Sequence, residues 1–384
     1  MPTRRLIMLI AALVALAAGG TAIAMAATGG GGPTPPPKAL DQAIHDALAA
    51  PAPEGITARV TFTNRLFPSG ALLGSAGSAL MSGASGRLWA TNDGRGRIEL
   101  QSDAGDVQIV WNGSAVSVYD ASSNTVYKVT LPAQSSNSTP DSSAPPALSE
   151  IDSFLSQVGD YATVSDAQPT DVAGRPAYSV SLSPKHDGGL LGSAELAWDA
   201  EQGVPLRVAV DAQGSSDPVL ELTVTDISYG PVSAGDVDVQ PPADAKVVDL
   251  GSLDASSQGD NGSVVTGLDQ VQAAADFPVV APDTLVGLPR QDVRLVGGSD
   301  SKSALVVYGQ GLGALIVVER KADSSSDQGG ILSSLPTVSL DGVTSHELAT
   351  QLGTALTWQN AGTGFVLAGS LPPAAAEAAA RQLK

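Results

Sequence analysis

The sequence predicts an α+β fold, in which an unclosed antiparallel β-barrel wrapped round short helices is followed by a smaller C-terminal α/β domain. Apolar and polar residues alternate almost without a break over residues 86–120, which is the pattern of half-buried β-strands. The chain is 43% hydrophobic but only 4% aromatic, and its 42 glycines and 26 prolines favour β-structure and linkers over a helical bundle. Its 384 residues suffice for two ordinary domains.

The charge and the cysteine content exclude several classes of function. A formal net charge of −19 disfavours nucleic acid as a partner, because phosphate binding needs clustered Lys and Arg. The sequence has no cysteine, which excludes disulfides, a thiolate nucleophile, iron–sulfur clusters and the lipid-bearing cysteine of a lipoprotein. We therefore expect no cysteine-based site and no covalent lipid anchor of the lipoprotein kind.

Residues 1–28 are interpreted as a transmembrane anchor or a signal peptide. Arg4 and Arg5 precede an uncharged run over residues 6–27, which as a helix would rise about 33 Å and cross a bilayer core of roughly 30 Å. The arginines would keep the N-terminus in the cytoplasm and place the remainder outside. The small-residue sites "AIA" and "AMA" also fit a cleaved signal peptide. We expect a single-pass cell-membrane protein with an extracytoplasmic C-terminal part, or a secreted protein after cleavage.

A Gly/Pro linker over residues 29–38 leads to the barrel domain, which we assign to residues 39–245. The linker reaches only roughly a few tens of ångströms. The spacing of apolar residues predicts a helix over 40–49 and a strand over 56–65. Residues 66–85 are apolar but break both periodicities, so they predict a mobile loop and a candidate lid. The apolar residues of this candidate lid are Leu66, Phe67, Leu72, Leu73, Leu80 and Met81.

Further strands and a second helix complete the barrel domain. Residues 132–147, rich in Ser and Pro, predict a disordered insertion after the first run of strands. An amphipathic helix is predicted over 148–162, and four more alternating strands lie between residues 175 and 229. The pattern therefore predicts about eight or nine strands against two or three short helices.

The chain beyond the barrel divides into a linker and the smaller domain. Residues 246–264 are acidic and rich in Gly and Ser, which predicts an interdomain linker. Residues 265–384 begin with a short helix and contain strands on either side of "GQGLG". A last helix is entered through Pro372 and Pro373, which suit a first turn because the missing N–H is not needed there.

The residues that usually carry catalysis or bind metals form no recognisable site in this sequence. His45, His186 and His346 each lack a second histidine at metal-ligand spacing, and Thr350 stands where a zincin motif would need one. The "GQGLG" cluster lies between two strands, which favours a hairpin turn over a phosphate-binding loop. No G-x-S-x-G elbow occurs, and the carboxylates are scattered on polar strand faces. We expect no catalytic residue, no metal and no cofactor.

The apolar face of the predicted sheet is too wide for the helices that could cover it. Nine strands span roughly 40 Å, whereas one helix covers about 10 Å. One interpretation is an ordinary core packed against the helices. The other is an apolar trough that suits an acyl chain, since sixteen buried carbons offer about 12 kcal/mol of gross transfer free energy. The trough residues predicted from the alternation are Val60, Phe62, Trp89, Ile98, Leu100, Ile109, Trp111, Val118, Val180, Leu196, Trp198, Val208 and Leu222.

The order of these strands resembles a known family. "GRLW", "RIE" and "VYDASSNTVYKV" follow one another within residues 86–129, and "AYSVSLSPK", "AELAWDAEQGVPLRVAVDA" and "DVQPP" continue the pattern to about residue 242. This pattern resembles the LolA/LolB/RseB-like lipoprotein-carrier superfamily over roughly residues 40–245. The resemblance implies a LolA-like half-barrel with a hydrophobic cavity. Arg59 and Arg65 would be the nearest polar groups at its mouth, although surface charge is the alternative.

The C-terminal part and the composition refine this resemblance. The sequence from "LTWQNAGTGF" onward is similar to a small domain found after such half-barrels in Gram-positive proteins, and the whole resembles the two-domain plan of RseB. The low Lys content suggests a high-GC Gram-positive host. An N-terminal anchor would depart from a soluble shuttle.

The expected function is that of a non-catalytic extracytoplasmic protein that holds an acyl chain of a lipid or lipoprotein. The alternative is an RseB-like envelope-stress regulator, in which residues 265–384 bind a membrane anti-sigma factor or another membrane protein. An enzyme would need a pocket that pairs two carboxylates, and the spacing offers none.

Overall fold

The protein consists of two separately packed bodies. Most of the chain up to Asp254 belongs to the first body, and Ala255–Lys384 makes up most of the second, with which residues 189–191 are also grouped. The computed structural model describes residues 32–66, 79–112, 115–130, 146–185, 189–215, 217–252, 265–297, 302–322 and 335–383.

The first body is built on one thirteen-stranded sheet that curls into an open half-barrel. The strand order is β13-β6-β5-β4-β3-β2-β1-β12-β11-β10-β9-β7, and β8 pairs with β9 beside that path. The fold class predicted from the sequence is therefore confirmed. The strands are β1 (Gly55–Asn64), β2 (Ala84–Thr91), β3 (Arg95–Ser102), β4 (Gly105–Asn112), β5 (Ala115–Asp120), β6 (Thr125–Thr130), β7 (Ala162–Val164), β8 (Gln168–Val172), β9 (Arg175–Pro184), β10 (Leu191–Asp199), β11 (Pro205–Ala212), β12 (Pro218–Tyr229) and β13 (Lys246–Ser252).

The centre of the sheet joins distant parts of the chain. β1 pairs antiparallel with β2 on one side and with β12 on the other. A hydroxyl-to-carbonyl hydrogen bond of 3.4 Å from Ser228 to Thr57 spans 171 residues of sequence at this junction. β1 is thus the strand that connects the N-terminal strands to the C-terminal strands of the half-barrel.

The last strand of the sheet corrects the predicted linker. Lys246–Ser252 forms β13, which pairs in parallel with β6 at one edge of the sheet. The linker predicted over 246–264 was therefore wrong at its start. The strand reads "KVVDLGS", in which the apolar Val247 and Val248 are adjacent rather than alternating, and the Pro, Asp and Gly residues around it give the segment the composition of a linker.

The described residues of the first body contain four helices: α1 (Leu40–Ala49), α2 (Ala79–Ser82), α3 (Leu148–Gly159) and α4 (Ala234–Val237). α1 covers the residues over which the sequence predicted it, and it buries Ala43 and Ala47 against the sheet. It ends at Ala49 because Pro51 favours the extended conformation that Ala50 adopts. α3 stops earlier than predicted, at Gly159, and β7 follows.

In its described ranges, the second body has an eight-stranded sheet and two α-helices, α5 (Leu268–Ala274) and α6 (Pro373–Gln382). Its registered strand pairs are antiparallel, and Gly311–Gly313 forms a short 3₁₀ turn between β16 and β17, in line with the predicted hairpin. α6 packs its alanines on the sheet, where Trp358 stacks on Phe365 at 4.9 Å between ring centroids. The strands are β14 (Thr284–Leu285), β15 (Leu288–Val296), β16 (Ser303–Tyr308), β17 (Leu315–Lys321), β18 (Thr337–Leu340), β19 (Val343–Ala349), β20 (Thr354–Asn360) and β21 (Thr363–Gly369).

Candidate functional site: the inner face of the half-barrel

A row of apolar side chains crosses six neighbouring strands of the half-barrel. Each member lies directly opposite the next in the strand register, so all of them point to the same side of the sheet. All of them contact the same hydrophobic cluster. We call this side of the sheet the inner face. The row runs through Ile227, Ala58, Leu88, Ile98, Ile109 and Val118.

A second, deeper row lies beside the first. Val60, Leu100 and Val107 are buried there, and Gly86 lies between Val60 and Leu100 in the register. A Cβ atom at Gly86 would lie 1.7 Å from the carbonyl oxygen of Glu99, so only glycine allows β2 and β3 to approach this closely. The deeper row therefore forms a packed floor.

Four of the predicted trough residues stay half-buried on β3–β5. Ile98, Ile109 and Val118 contact the hydrophobic cluster but keep part of their surface accessible. Trp111 shares their side by alternation and lies over Gly96, where a Cβ atom would come within 2.0 Å of the indole ring. We call these four residues the open wing of the inner face.

The opposite end of the inner face is covered by α1. Val180, Leu196 and Trp198 are buried in one cluster with Ala43 and Ala47. The half-buried Val208 packs on the same cluster and lies opposite Leu222, which contacts the cluster of the open wing. The two clusters therefore share one face. We call Val180, Leu196, Trp198 and Val208 the covered wing.

Trp89 does not belong to the inner face, so this trough residue was predicted wrongly. It lies opposite Arg97 in the register, while its neighbour Leu88 takes the inner position. The Arg97 guanidinium lies 4.6 Å from the Trp89 ring centroid and donates a 2.9 Å hydrogen bond to the carbonyl of Asp236. Alternation alone could not decide whether Leu88 or Trp89 points to the inner face. On the opposite face, the cation–π contact with Arg97 stabilises the Trp89 ring.

Part of the candidate lid lies on the inner face. Leu80 belongs to α2 and packs against the cluster around Val60, and its carbonyl accepts a 2.7 Å hydrogen bond from the Asn64 amide. Met81 is in the same short helix, so the part of the predicted loop from Ala79 to Ser82 is helical. Leu66 is half-buried. Phe67, Leu72 and Leu73 lie outside the described residues.

A polar cleft lies where β1 ends. It has a volume of about 480 Å³, and its lining includes Thr61, Ser85 and Gln101, which alternate with inner-face residues such as Phe62 and therefore point to the opposite side of the sheet. Arg65 lines the cleft too, and its guanidinium lies 3.9 Å from Asp217. Arg59 is 67% exposed and 4.0 Å from Asp226, which agrees with the surface-charge alternative for that residue.

A buried charged cluster of the first body stabilises a turn. Asp199 is fully buried, and it accepts hydrogen bonds from Arg175 at 2.8 Å and from the Tyr229 hydroxyl at 2.7 Å. Burial alone would raise the pKa of Asp199, but these hydrogen bonds hold that pKa below its usual value. The backbone N–H groups of Glu201 and Gln202 bind the other carboxylate oxygen. Each oxygen is satisfied by the fold, which is the arrangement of a structural anchor.

Two further observations concern metals and membranes. Within the described ranges, no three His, Asp or Glu side chains come close enough to hold a metal ion. In that same part of the chain, no helix has the length and apolarity needed to cross a membrane. The predicted anchor over residues 6–27 lies outside the described residues, as does most of the insertion predicted over 132–147.

Comparison with known proteins finds similarity in solved structures alone. No protein-family model matches the sequence, and no curated protein matches it. The crystal structure of MucB in complex with MucA(peri) is 14% identical, with a TM-score of 0.42, and the match covers 90% of this chain and 96% of that chain. The MucA/MucB complex of Pseudomonas aeruginosa is also 14% identical, with a TM-score of 0.41 and coverage of 89% and 94%.

A third match is a domain from Vibrio parahaemolyticus described as an outer membrane lipoprotein-sorting protein. It is 10% identical, with a TM-score of 0.24, and the match covers 52% of this chain and 96% of that chain. Similarities of this size carry no information about function.

Proposed function

We propose that this chain is a non-catalytic binding protein that holds an acyl chain of a lipid or lipoprotein against the inner face of its half-barrel. The observation that carries the proposal is the open wing: Ile98, Ile109, Trp111 and Val118 form a contiguous apolar surface that is only half-buried. A contiguous apolar surface that stays partly accessible to solvent is typical of a binding site.

The boundaries of this surface suit a linear apolar ligand. The covered wing under α1 closes one end of the inner face, and α2 places Leu80 on its middle. Each CH₂ group buried there contributes about 0.8 kcal/mol, so a sixteen-carbon chain contributes about 12 kcal/mol before the entropic cost of ordering it. Binding of this kind requires no catalytic residue and no cofactor.

We propose further that the protein acts outside the cytoplasm, tethered through residues 6–27 and the linker 29–38. The uncharged run and the preceding arginines support this location. The mass of the mature chain distinguishes an uncleaved anchor from a cleaved signal peptide, because cleavage removes the first residues and an anchor keeps them. A mature chain of full mass in the cytoplasm would contradict both the anchored and the secreted form.

Photo-cross-linking tests the binding site directly. The full chain in detergent micelles is irradiated with a photo-cross-linkable sixteen-carbon fatty acid, and the labelled peptides are identified by mass spectrometry. We expect label on β3–β5, and we expect Ile109→Asp to lower it about tenfold, because a carboxylate on the apolar surface costs at least about 1.4 kcal/mol in binding.

A matched control is available in the second body. Ile316 is 43% exposed, so Ile316→Asp introduces the same charge without touching the inner face and should leave the label unchanged. Val118→Thr covers the case in which Ile109→Asp unfolds the domain: it places a hydroxyl on the half-buried apolar surface with little change in shape and should also lower the label. Label spread evenly over the chain, or label that survives both inner-face substitutions in folded protein, contradicts the proposal.

The second candidate function is regulation through a membrane protein that binds residues 265–384. It is favoured by the exposure of Ile316 and Val296, which leaves large apolar side chains accessible on the second body. Affinity purification of the full chain from membranes tests it. The expected result is a membrane protein that co-purifies with the wild type and with Ile109→Asp but is lost with Ile316→Asp. Equal recovery of the same membrane protein with the wild type, Ile109→Asp and Ile316→Asp rejects this function.

A further inference from the structure

We propose that residues 32–38 clamp the first body to the membrane, so that strand β8 is held beside the lipid surface and the acyl chain on the inner face is taken from that same membrane. This inference rests on the proposed function, because it takes residues 6–27 as the anchor and the inner face as the binding site.

The linker is packed on the first body over residues 32–38 and is not a free tether there. Pro35 is buried, and the Tyr178 hydroxyl donates a 2.7 Å hydrogen bond to the carbonyl of Pro36. Lys38 pairs with Asp46 of α1 at 2.5 Å, and its ammonium lies 5.6 Å from the Tyr178 ring centroid. Because residues 33 and 35–37 are prolines with a fixed φ, little backbone entropy is lost when the segment is held in this way.

The packed segment begins on β8. A Cβ atom at Gly32 would lie 2.3 Å from a carboxylate oxygen of Asp171, so glycine lets the linker lie directly on this strand. β8 pairs with β9 and with no other described strand, and it therefore lies at a margin of the unclosed sheet. The chain thus reaches the first body at the open side of the half-barrel.

Little chain remains between this clamp and the proposed anchor. Residues 28–31 alone separate Gly32 from Ala27, the last residue of the uncharged run. A fully extended chain spans about 17 Å over this interval. The head-group layer occupies roughly 5–8 Å of that length. Gly32 and β8 beside it therefore lie within about 12 Å of the membrane surface.

This position favours the anchoring membrane as the source of the ligand. A chain that crosses water between membranes exposes each of its CH₂ groups at about 0.8 kcal/mol, whereas a chain that passes directly from the leaflet onto the half-barrel exposes only part of its length. A short link to the membrane also keeps the local concentration of lipid high. A carrier between separate membranes would need a longer or a releasable link.

Energy transfer tests the position of β8. The sequence has no cysteine, so one introduced cysteine carries the donor dye without a competing thiol. The full chain is reconstituted in phosphatidylcholine vesicles that carry acceptor dyes on their head groups, with the donor on exposed Gln168→Cys of β8 or on exposed Thr57→Cys of β1. β1 lies five strands away, roughly 24 Å across the sheet, so we expect transfer from β8 to be about twofold higher.

The clamp is tested by removing its polar contacts. Tyr178→Phe together with Lys38→Met keeps the ring and the length of the side chain but removes the hydrogen bond and the ion pair. Transfer from β8 should then fall to the value measured from β1. Tyr119→Phe together with Lys128→Met also removes a hydroxyl hydrogen bond and an ammonium, but on β5 and β6, and should leave the transfer unchanged.

Cross-linking tests the source of the ligand. A photo-cross-linkable phosphatidylcholine is placed either in the membrane that holds the protein or in separate vesicles. Label on β3–β5 from the same membrane should exceed label from separate vesicles about tenfold, because the tether raises the effective concentration. Twenty Gly and Ser residues inserted between residues 31 and 32 should reduce that excess about threefold, whereas the same insertion after Lys384 should not.

The possible outcomes separate this inference from the function on which it rests. Equal transfer from the two dye positions in a full-length anchored chain overturns the inference, and so does transfer from β8 that survives both the clamp variant and the insertion. Label that comes equally from separate vesicles overturns the assigned source. An intact mass that lacks residues 6–27, or the absence of label on β3–β5 from either source, rejects the proposed function itself.

Discussion

The two wings of the inner face carry the same kind of apolar alternation and differ in what lies on them. In the covered wing, Trp198 and Leu196 are buried beneath α1, and Trp198 lies 6.2 Å from Tyr178 between ring centroids. In the open wing, Ile109 and Val118 have comparable apolar character but remain half-buried. Sequence alternation thus identifies an apolar face, while the packing of one helix decides which part of that face is core.

The largest effect is expected in the covered wing. Trp198→Ala should lower the free energy of unfolding of the first body by about 3–5 kcal/mol, because it removes a buried indole and leaves a cavity beneath α1. Ile109→Ala in the open wing should lower it by less, because part of that side chain is already in contact with solvent. Urea unfolding followed by circular dichroism measures both. Equal losses at the two positions would remove the distinction between the wings.

The second body provides a comparison through pH, because its buried Glu319 has no counterpart among the described residues of either wing. Burial raises the pKa of Glu319 from 4.5 to about 7, and its Oε2 atom accepts a 2.8 Å hydrogen bond from Val280 N–H. The folded state therefore holds the proton more tightly than the unfolded chain. The stability from this group is complete below about pH 4.5 and is lost as pH rises through about 7.

The expected loss between pH 5 and pH 8 is about 3 kcal/mol in the free energy of unfolding of the second body. Glu319→Gln should remove that pH dependence, and the first body should not share it. Urea unfolding at several pH values, followed by hydrogen exchange of β17 and of β4, measures the two bodies separately. A wild type and a Glu319→Gln variant with identical pH profiles would contradict the assignment.

Ligand binding should reduce the difference between the wings. A fatty acid at about one hundred times its dissociation constant should raise the free energy of unfolding of the first body by about 2.7 kcal/mol, because only the folded state binds it. Hydrogen exchange should slow on β3–β5 and stay unchanged on β9–β10. Ile109→Asp is the control and should show no gain. Slower hydrogen exchange confined to β9–β10 would place the ligand on the covered wing and would contradict the proposed site.

The smallest change in stability is expected for Trp89→Ala, and comparison with Trp111→Ala tests whether the two rings lie on opposite faces of the sheet. Trp89→Ala should cost about 1 kcal/mol in the free energy of unfolding, since it removes the exposed-side contact with Arg97, and it should leave fatty-acid labelling unchanged. Trp111→Ala should instead lower the labelling, because its ring belongs to the open wing. Labelling that falls for Trp89→Ala and not for Trp111→Ala would reverse the assignment of the faces.

The sequence predicted the elements better than the surfaces between them. α1 could be placed to the residue because apolar residues recur at helical spacing and Pro51 ends the run, and β3 and β4 followed from strict alternation. Trp89 was misplaced because Leu88 and Trp89 are adjacent and alternation has no preference between them. β13 was missed because its pairing with β6 is set by the rest of the sheet and its composition resembles a linker.

The polar cleft could not be predicted from the sequence at all. Thr61, Ser85 and Gln101 each stand at a polar position of a separate strand, where solubility is sufficient explanation for the residue type. They become neighbours only through the registers of β1 with β2 and of β2 with β3. Register depends on the whole sheet, so a local pattern contains no signal for such a site.

The central place of β1 has a consequence for the order in which this half-barrel is made. A ribosome releases β1 early, but its partner β12 emerges only after more than a hundred further residues, as the 171-residue separation between Thr57 and Ser228 shows. Strands β2–β6 can form by successive local hairpins during synthesis, whereas the seam between β1 and β12 closes a long loop and must come late. We expect the nascent first body to expose its apolar face until β12 has been released, which makes that interval the time when it most needs a chaperone.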